Sequence, residues 1–308
     1  MTGDYSRLTF DPKKHYRGVL MQQGRVQVDA DWNEQEAISR RRIEVETGDI
    51  IGLCGAPEND AGFEIVATPE GDDLSIGAGR YYVDGILCEN EQSTTYTNQP
   101  DRPGTKDASP VSLFNLSNVI MAREVGLVYL DVWKRHITAL EDPHIREVAL
   151  GGPDTATRIK TVWQVKVIKV SADPDLPKCY GEFTEWTKAT QSLSGTLTAR
   201  TTPVDDLDNP CLIPATAGYQ RLENQLYRVE IHNPGPLGTA TFKWSRDNGT
   251  VVTAIEKING QQITVSDTGR DAELGFATGQ WVEILDDANE LSGLPGELRL
   301  ISDVQHAA

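Results

Sequence analysis

Residues 128–147, VYLDVWKRHITALEDPHIRE, gather the side chains best suited to chemistry in this chain: His136, His144, Asp131, Glu141, Asp142 and Trp133. Imidazole with carboxylate is the ligand set of a zinc site and the proton-transfer pair of acid–base catalysis. A metal would need His136, His144 and one of Glu141 or Asp142 aimed at a common point. The spacing argues against it. Neither histidine stands in an HxH or HExxH pattern, and Lys134 and Arg135 beside His136 would repel a cation. The stretch reads as a β-strand that runs into a polar loop, with Asp131 bonding the loop backbone. His136, Glu141 and His144 are then candidates for a subunit contact.

Other chemical candidates are weaker still. KWSRDNG offers Ser245, Arg246 and Asp247, but a hairpin turn accounts for all three. No GxSxG, Walker A or GxGxxG pattern occurs. With 46 acidic residues, sequence spacing cannot single out a glycosidase pair. The acidic stretch ILDDANEL lacks the alternating ligands of a calcium loop. Trp244 and Trp281 read as core residues, with a sugar-stacking platform as the sharper alternative. Cys54, Cys88, Cys179 and Cys211 form no CxxC pair and read as free thiols; a Cys179–Cys211 pairing stays open. No catalytic residue, metal or cofactor is expected.

The scaffold that must position these residues is mainly β with a short N-terminal helical segment, built as modular sandwich- or barrel-like domains. A chain of 308 residues exceeds one ordinary core. A docking segment is expected over 1–60, a β-rich body with a long loop (134–158) over 61–210, and an all-β region over 211–308. The main boundary falls near Leu207–Ala217. GVLMQQGRVQVDADW reads as a hairpin-like opening. A helix follows from Asp31, capped by Asp31 at Glu34, and runs to about Glu46. Its few apolar residues predict a helix held by neighbours, a second subunit among them; Trp32, Ile38 and Arg41 are the candidate contacts. Asp84-Gly85, Asn248-Gly249 and Asn259-Gly260 mark hairpin turns.

A net charge of −17 disfavours nucleic acid and anionic lipid as partners. No apolar run approaches a membrane span, and the N-terminus has no secretory-signal pattern, so synthesis in the cytoplasm without the general secretory route is expected. The sequence stops directly after a strand pattern, which predicts a longer polypeptide.

Four blocks carry a resemblance: FDPKKHYRGVLMQQGRVQVDADWNEQ, GRYYVDGILCEN, VYLDVWKRHITALEDPHIREVALGGPDTATR and GYQRLENQLYRVEIH with FKWSRDNGTVV. They resemble an uncharacterised bacterial N-terminal domain family found in gene clusters of phage-tail-like contractile injection systems. YVDG and VYLDVW also resemble pieces of tail-fibre proteins. The resemblance implies a structural component near the baseplate or fibre, other tail or baseplate proteins as partners, and a homotrimer. A cell-surface glycan-binding module is the alternative, with Trp244 or Trp281 stacking on sugar. A polysaccharide-degrading enzyme is the third reading.

Overall fold

The computed structural model describes residues 3, 5–70, 73–103, 125–170, 184–191, 195–198, 226–246, 249–269, 271 and 274–305. Cys179, Cys211, Asp247, Asn248 and the segment Leu207–Ala217 lie outside them. Two compact units emerge, one gathering 6–191 with 253–308, the other 192–252 with 2–5.

The first unit is mainly β, opened by one long helix, α1 (Asp29–Ile51). It begins earlier and runs further than Asp31–Glu46. Val28 is its N-cap and makes no side-chain bond, so the Asp31 capping box does not form. Gly48 does not stop the helix, which runs on to Ile51. The turn Asp84-Gly85 sits so close that a Cβ on Gly85 would overlap the Glu44 carbonyl. Gly52, at φ 92°, ends the helix with its N–H on Gly48 O at 2.8 Å. Ahead of α1 the expected hairpin is absent. A turn forms at Gln23-Gly24, but its flanks make no ladder, and Leu20, Met21 and Val26 are exposed. Instead the segment lies along the helix. Thr9 donates to Glu34, Asn33 to Ser6 Oγ at 3.3 Å, and Val19 N–H to Gln35 Oε1 at 2.7 Å.

Two three-stranded antiparallel sheets follow. One orders β1 (Cys54–Gly55), β4 (Gly79–Val83) and β5 (Ile86–Asn90); the other orders β2 (Ile65–Ala67), β3 (Leu74–Ile76) and β6 (Thr94–Thr95). Asp84-Gly85 makes the β4–β5 hairpin as expected. Both residues have positive φ, 48° and 77°, the signature of a type I′ turn.

The longest ladder is β7 (Val125–Ile137) against β8 (Arg158–Val170), paired over all thirteen residues. At about 3.4 Å per residue it spans roughly 40 Å. Val128, Leu130 and Val132 of β7 pack with Trp163 and Val165 of β8 onto Ile76 and Cys88, the predicted face. Phe63 meets Trp163 edge to face at 4.8 Å, and the Trp163 indole donates to Glu89 O at 2.9 Å. On the other face, Trp186 of α2 (Thr184–Thr190) packs edge to face on Tyr129. The outer edge of β8 is closed by one side chain. Gln99 Nε2 donates to Val165 O at 2.9 Å, and its Oε1 accepts from Val165 N–H at 2.7 Å. The amide thus takes the place of a neighbouring strand.

The C-terminal part of this unit adds two hairpins, β11 (Ile255–Asn259) with β12 (Gln262–Val265) and β13 (Trp281–Ile284) with β14 (Glu297–Leu300). Between β13 and β14, ILDDANEL forms α3 (Asp287–Leu291), N-capped by Asp286. Asn259 pairs with Gln262, so the turn is centred on Gly260-Gln261 rather than Asn259-Gly260. Positive φ at Gly260 alone is the type II′ pattern. In the second unit, β9 (Tyr227–Ile231) pairs with β10 (Phe242–Arg246). Among the described residues no hairpin forms around Gly249, because β10 pairs backward in sequence and β11 forward.

Replacing Gln99 by alanine would leave the buried N–H and C=O of Val165 without partners. It should cost about 2–4 kcal/mol of stability, read as a lowered urea midpoint at unchanged slope.

Candidate functional site

The stretch 128–147 does not converge on a metal or a catalytic pair. β7 continues through Ile137, so Lys134, Arg135 and His136 are strand residues and the loop is 138–157, shorter than 134–158. The strand can run on because each basic residue finds an acid. Lys134 pairs with Glu44 of α1. Arg135, its side chain largely buried, binds Glu290 at 2.7 Å and Asp287 at 3.1 Å, with Glu141 at 3.7 Å. Hydrogen bonding to Glu290 holds its proton more firmly than in water, against the opposing effect of burial. His136 is buried, cross-strand from Ile159, whereas His144 is exposed in the loop. Asp131 does not bond the loop backbone. It accepts from Lys166, whose ammonium also lies 5.4 Å from the Trp133 ring centre. Among the described residues no group of three His, Cys, Asp or Glu side chains could hold a metal ion.

Glu141 turns back to accept from the Thr138 N–H at 2.7 Å and from its hydroxyl. Asp142 caps the short helical turn Pro143–Ile145 through the His144 N–H at 3.1 Å, and Glu147 caps Val148–Leu150 through Ala149 N–H at 2.9 Å. Glu147 N–H reaches Pro153 O and Gly152 N–H reaches Glu147 O, both at 2.9 Å. The acids that looked catalytic are spent on holding the loop in one shape. Outward the loop exposes Val148 and Leu150, with Leu140 partly so, among the exposed His144, Arg146, Glu147 and Asp154.

The remaining candidates divide by exposure. Trp32 and Arg41 are exposed on α1, but Ile38 is buried inside the chain, where it packs rather than offering a contact. Trp244 (63 % exposed) and Trp281 (65 %) are both on the surface. Tyr227 lies 5.8 Å from Trp244, the rings tilted by 46°. With Val229, Ile231 and Phe242 they form one exposed apolar face of the β9–β10 hairpin, while Arg228, Glu230 and Lys243 pair on the other. Ser245, a residue of β10, donates from its Oγ to the neighbouring Arg246 O at 3.1 Å.

Cys88 is buried in the core, and burial pushes its thiol up to about 11; Cys54 is exposed, and both are free. In the described residues no helix is long and apolar enough to cross a membrane.

Sequence reasoning missed the Arg135 cluster, Tyr227 beside Trp244, and the apolar loop tip. The first joins residues some 150 apart and has no local signal. Replacing Arg135 by methionine keeps the packed stem but leaves Glu141, Asp287 and Glu290 facing one another. It should cost about 1–3 kcal/mol, the lower end reflecting the exposure of Asp287. Thermal unfolding would read the loss.

No curated protein and no solved structure matches the chain. A family profile does match, over residues 1–181 and 183–306. By that near-complete coverage the chain belongs to DUF6519, a family of unknown function.

Proposed function

We propose that the chain is a structural component of a phage-tail-like contractile particle, associated with its baseplate or tail fibre. The setting comes from the sequence blocks quoted above. The observation that supports an assembly role is the 138–157 loop, an ordered element at the end of a long β-ladder. Its Glu141, Asp142 and Glu147 bond the loop's own backbone, and Val148 and Leu150 stand exposed beside the charged residues Arg146 and Glu147. A long loop that is rigid and apolar at the tip fits insertion into a neighbouring subunit. Other tail or baseplate proteins are the partners in this reading, and assembly takes place in the cytoplasm, where a particle component needs no secretory leader.

Aspartate at Val148 and Leu150 should leave the fold intact, since both are exposed. Incorporation into particles purified from the source cells should fall at least tenfold, measured by quantitative mass spectrometry of the sedimented particle fraction. Undiminished incorporation of the double variant would remove the loop from this role.

Exposure of Trp244 with Tyr227 beside it favours a second reading, a glycan-binding module. Aromatic faces stack on the C–H faces of pyranoses, and two adjacent rings cover about one sugar. In a screen of bacterial surface polysaccharides by tryptophan fluorescence, the intact chain should show a saturable shift that Trp244→Ala abolishes. No shift with any polysaccharide would dismiss this second reading.

A further inference from the structure

We propose that a second copy of this chain packs on the outer face of α1, the two helices antiparallel and related by a twofold axis. The proposal stands on α1 alone and does not depend on the particle reading.

Helix α1 has two apolar sides. The inner side, with Ala30 and Ile38, is buried within the chain. The outer side is not: Trp32 is 65 % exposed, Ile43 63 % and Ile50 77 %. At about 100° per residue these three fall within about 20° of one line, with Ser39 close to it. Their spacing is the one that lets two helices keep a seam in contact. A solvated helix face would carry charge along this line, yet three of its largest apolar side chains stand there.

The charges flanking the stripe select the occupant. The first half of α1 is acidic, with Asp29, Asp31, Glu34 and Glu36; Arg40, Arg41 and Arg42 follow at its centre, and Glu44, Glu46 and Asp49 come after them. An antiparallel pair centred between Ala37 and Ile38 sets Trp32 against the partner's Ile43, twice by symmetry. In that register Glu36 meets the partner's Arg40 on one flank, and Arg42 meets the partner's Asp31 on the other. A parallel pair would oppose the arginine triplets and bring Glu36 onto Glu36 and Glu46 onto Glu46. For a chain of net charge −17, the arginine triplet is also where a second acidic copy can approach. One helix pair buries on the order of 1,000 Å², the low end of stable interfaces, so association in the micromolar range is expected.

The test uses the full chain in sedimentation velocity from about 1 to 100 µM. A concentration-dependent twofold species is expected, weakened at least tenfold by Ile43→Glu. A mass that stays monomeric throughout, or an oligomer indifferent to Ile43→Glu, overturns the proposal. Charge swaps give a readout that helix stability alone would not. Glu36→Arg and Arg40→Glu should each weaken association, and an equimolar mixture of the two should restore it, because only the mixed pair regains both cross-helix contacts. Failure of the mixture to recover overturns the register. Direction is read by oxidative cross-linking against the unsubstituted chain as background. Trp32→Cys mixed with Ile43→Cys should cross-link, and neither alone. Cross-linking of Trp32→Cys to itself would mean a parallel pair and overturn the antiparallel one.

Discussion

Trp163 is the residue on which the first unit turns. A two-stranded ladder is marginal alone, however long, and so is a sheet of three short strands. Here one ladder and two such sheets meet on a single indole. The ring lies against Phe63 edge to face, beside Ile76 of β3, Cys88 of β5 and Val165 of its own strand. Burying an indole also buries an N–H, and that donor ends on Glu89 O in β5. The same bond that satisfies the ring therefore fixes where β5 lies along β8. Cys88 is fully buried in the same core, and that burial pushes its thiol up to about 11.

Around that core the constraint becomes polar. A ladder thirteen residues long has edges, and each inward N–H or C=O must be answered. Gln99 answers at Val165 with both ends of one amide. Further along, Gln164 donates to Asp101 O, and the Asp101 carboxylate holds Lys160 at 2.9 Å. The basic run Lys134-Arg135 works in the same way at a larger scale. Successive strand residues point to opposite faces, so Lys134 reaches α1 and Arg135 reaches α3. Two adjacent residues thus tie the N-terminal helix and the C-terminal hairpin to one strand.

The elements set by local chemistry were legible in the sequence. Alternation placed β7 and β8 and the face carrying Val128, Leu130 and Val132. Asp84-Gly85 announced its hairpin because both turn positions need positive φ. Where long-range packing decides, local signals failed. Gly48 looks like a helix stop, yet the helix runs through it to Ile51, and the glycine the close approach demands is Gly85 in the β4–β5 turn. Asn248-Gly249 looks like a hairpin, yet β10 pairs with β9 instead. The capping box at Asp31 loses to a helix start two residues earlier. In the site, His144 stands in the loop, but His136, read as part of the loop 134–158 and as a contact group, is a buried residue of β7, and Glu141, also read as a contact group, accepts from Thr138 within the loop. The Arg135 cluster, assembled from residues 141, 287 and 290, leaves no trace in any window of sequence.

Among the described residues two surfaces expose apolar residues in order, and they differ in what they specify. The β9–β10 face sets Tyr227, Val229, Ile231, Phe242 and Trp244 side by side, with its charges turned to the opposite face. An apolar face without flanking charge attracts many partners and selects none, because burial is nondirectional. On α1, by contrast, the apolar line is narrow and charge runs along the helix in an order, acidic, then basic, then acidic again. Such an order is costly against most surfaces, including a parallel copy of itself, and favourable against its own reverse. Specificity comes from what a surface rejects as much as from what it attracts, and by that criterion α1 is the more selective of the two.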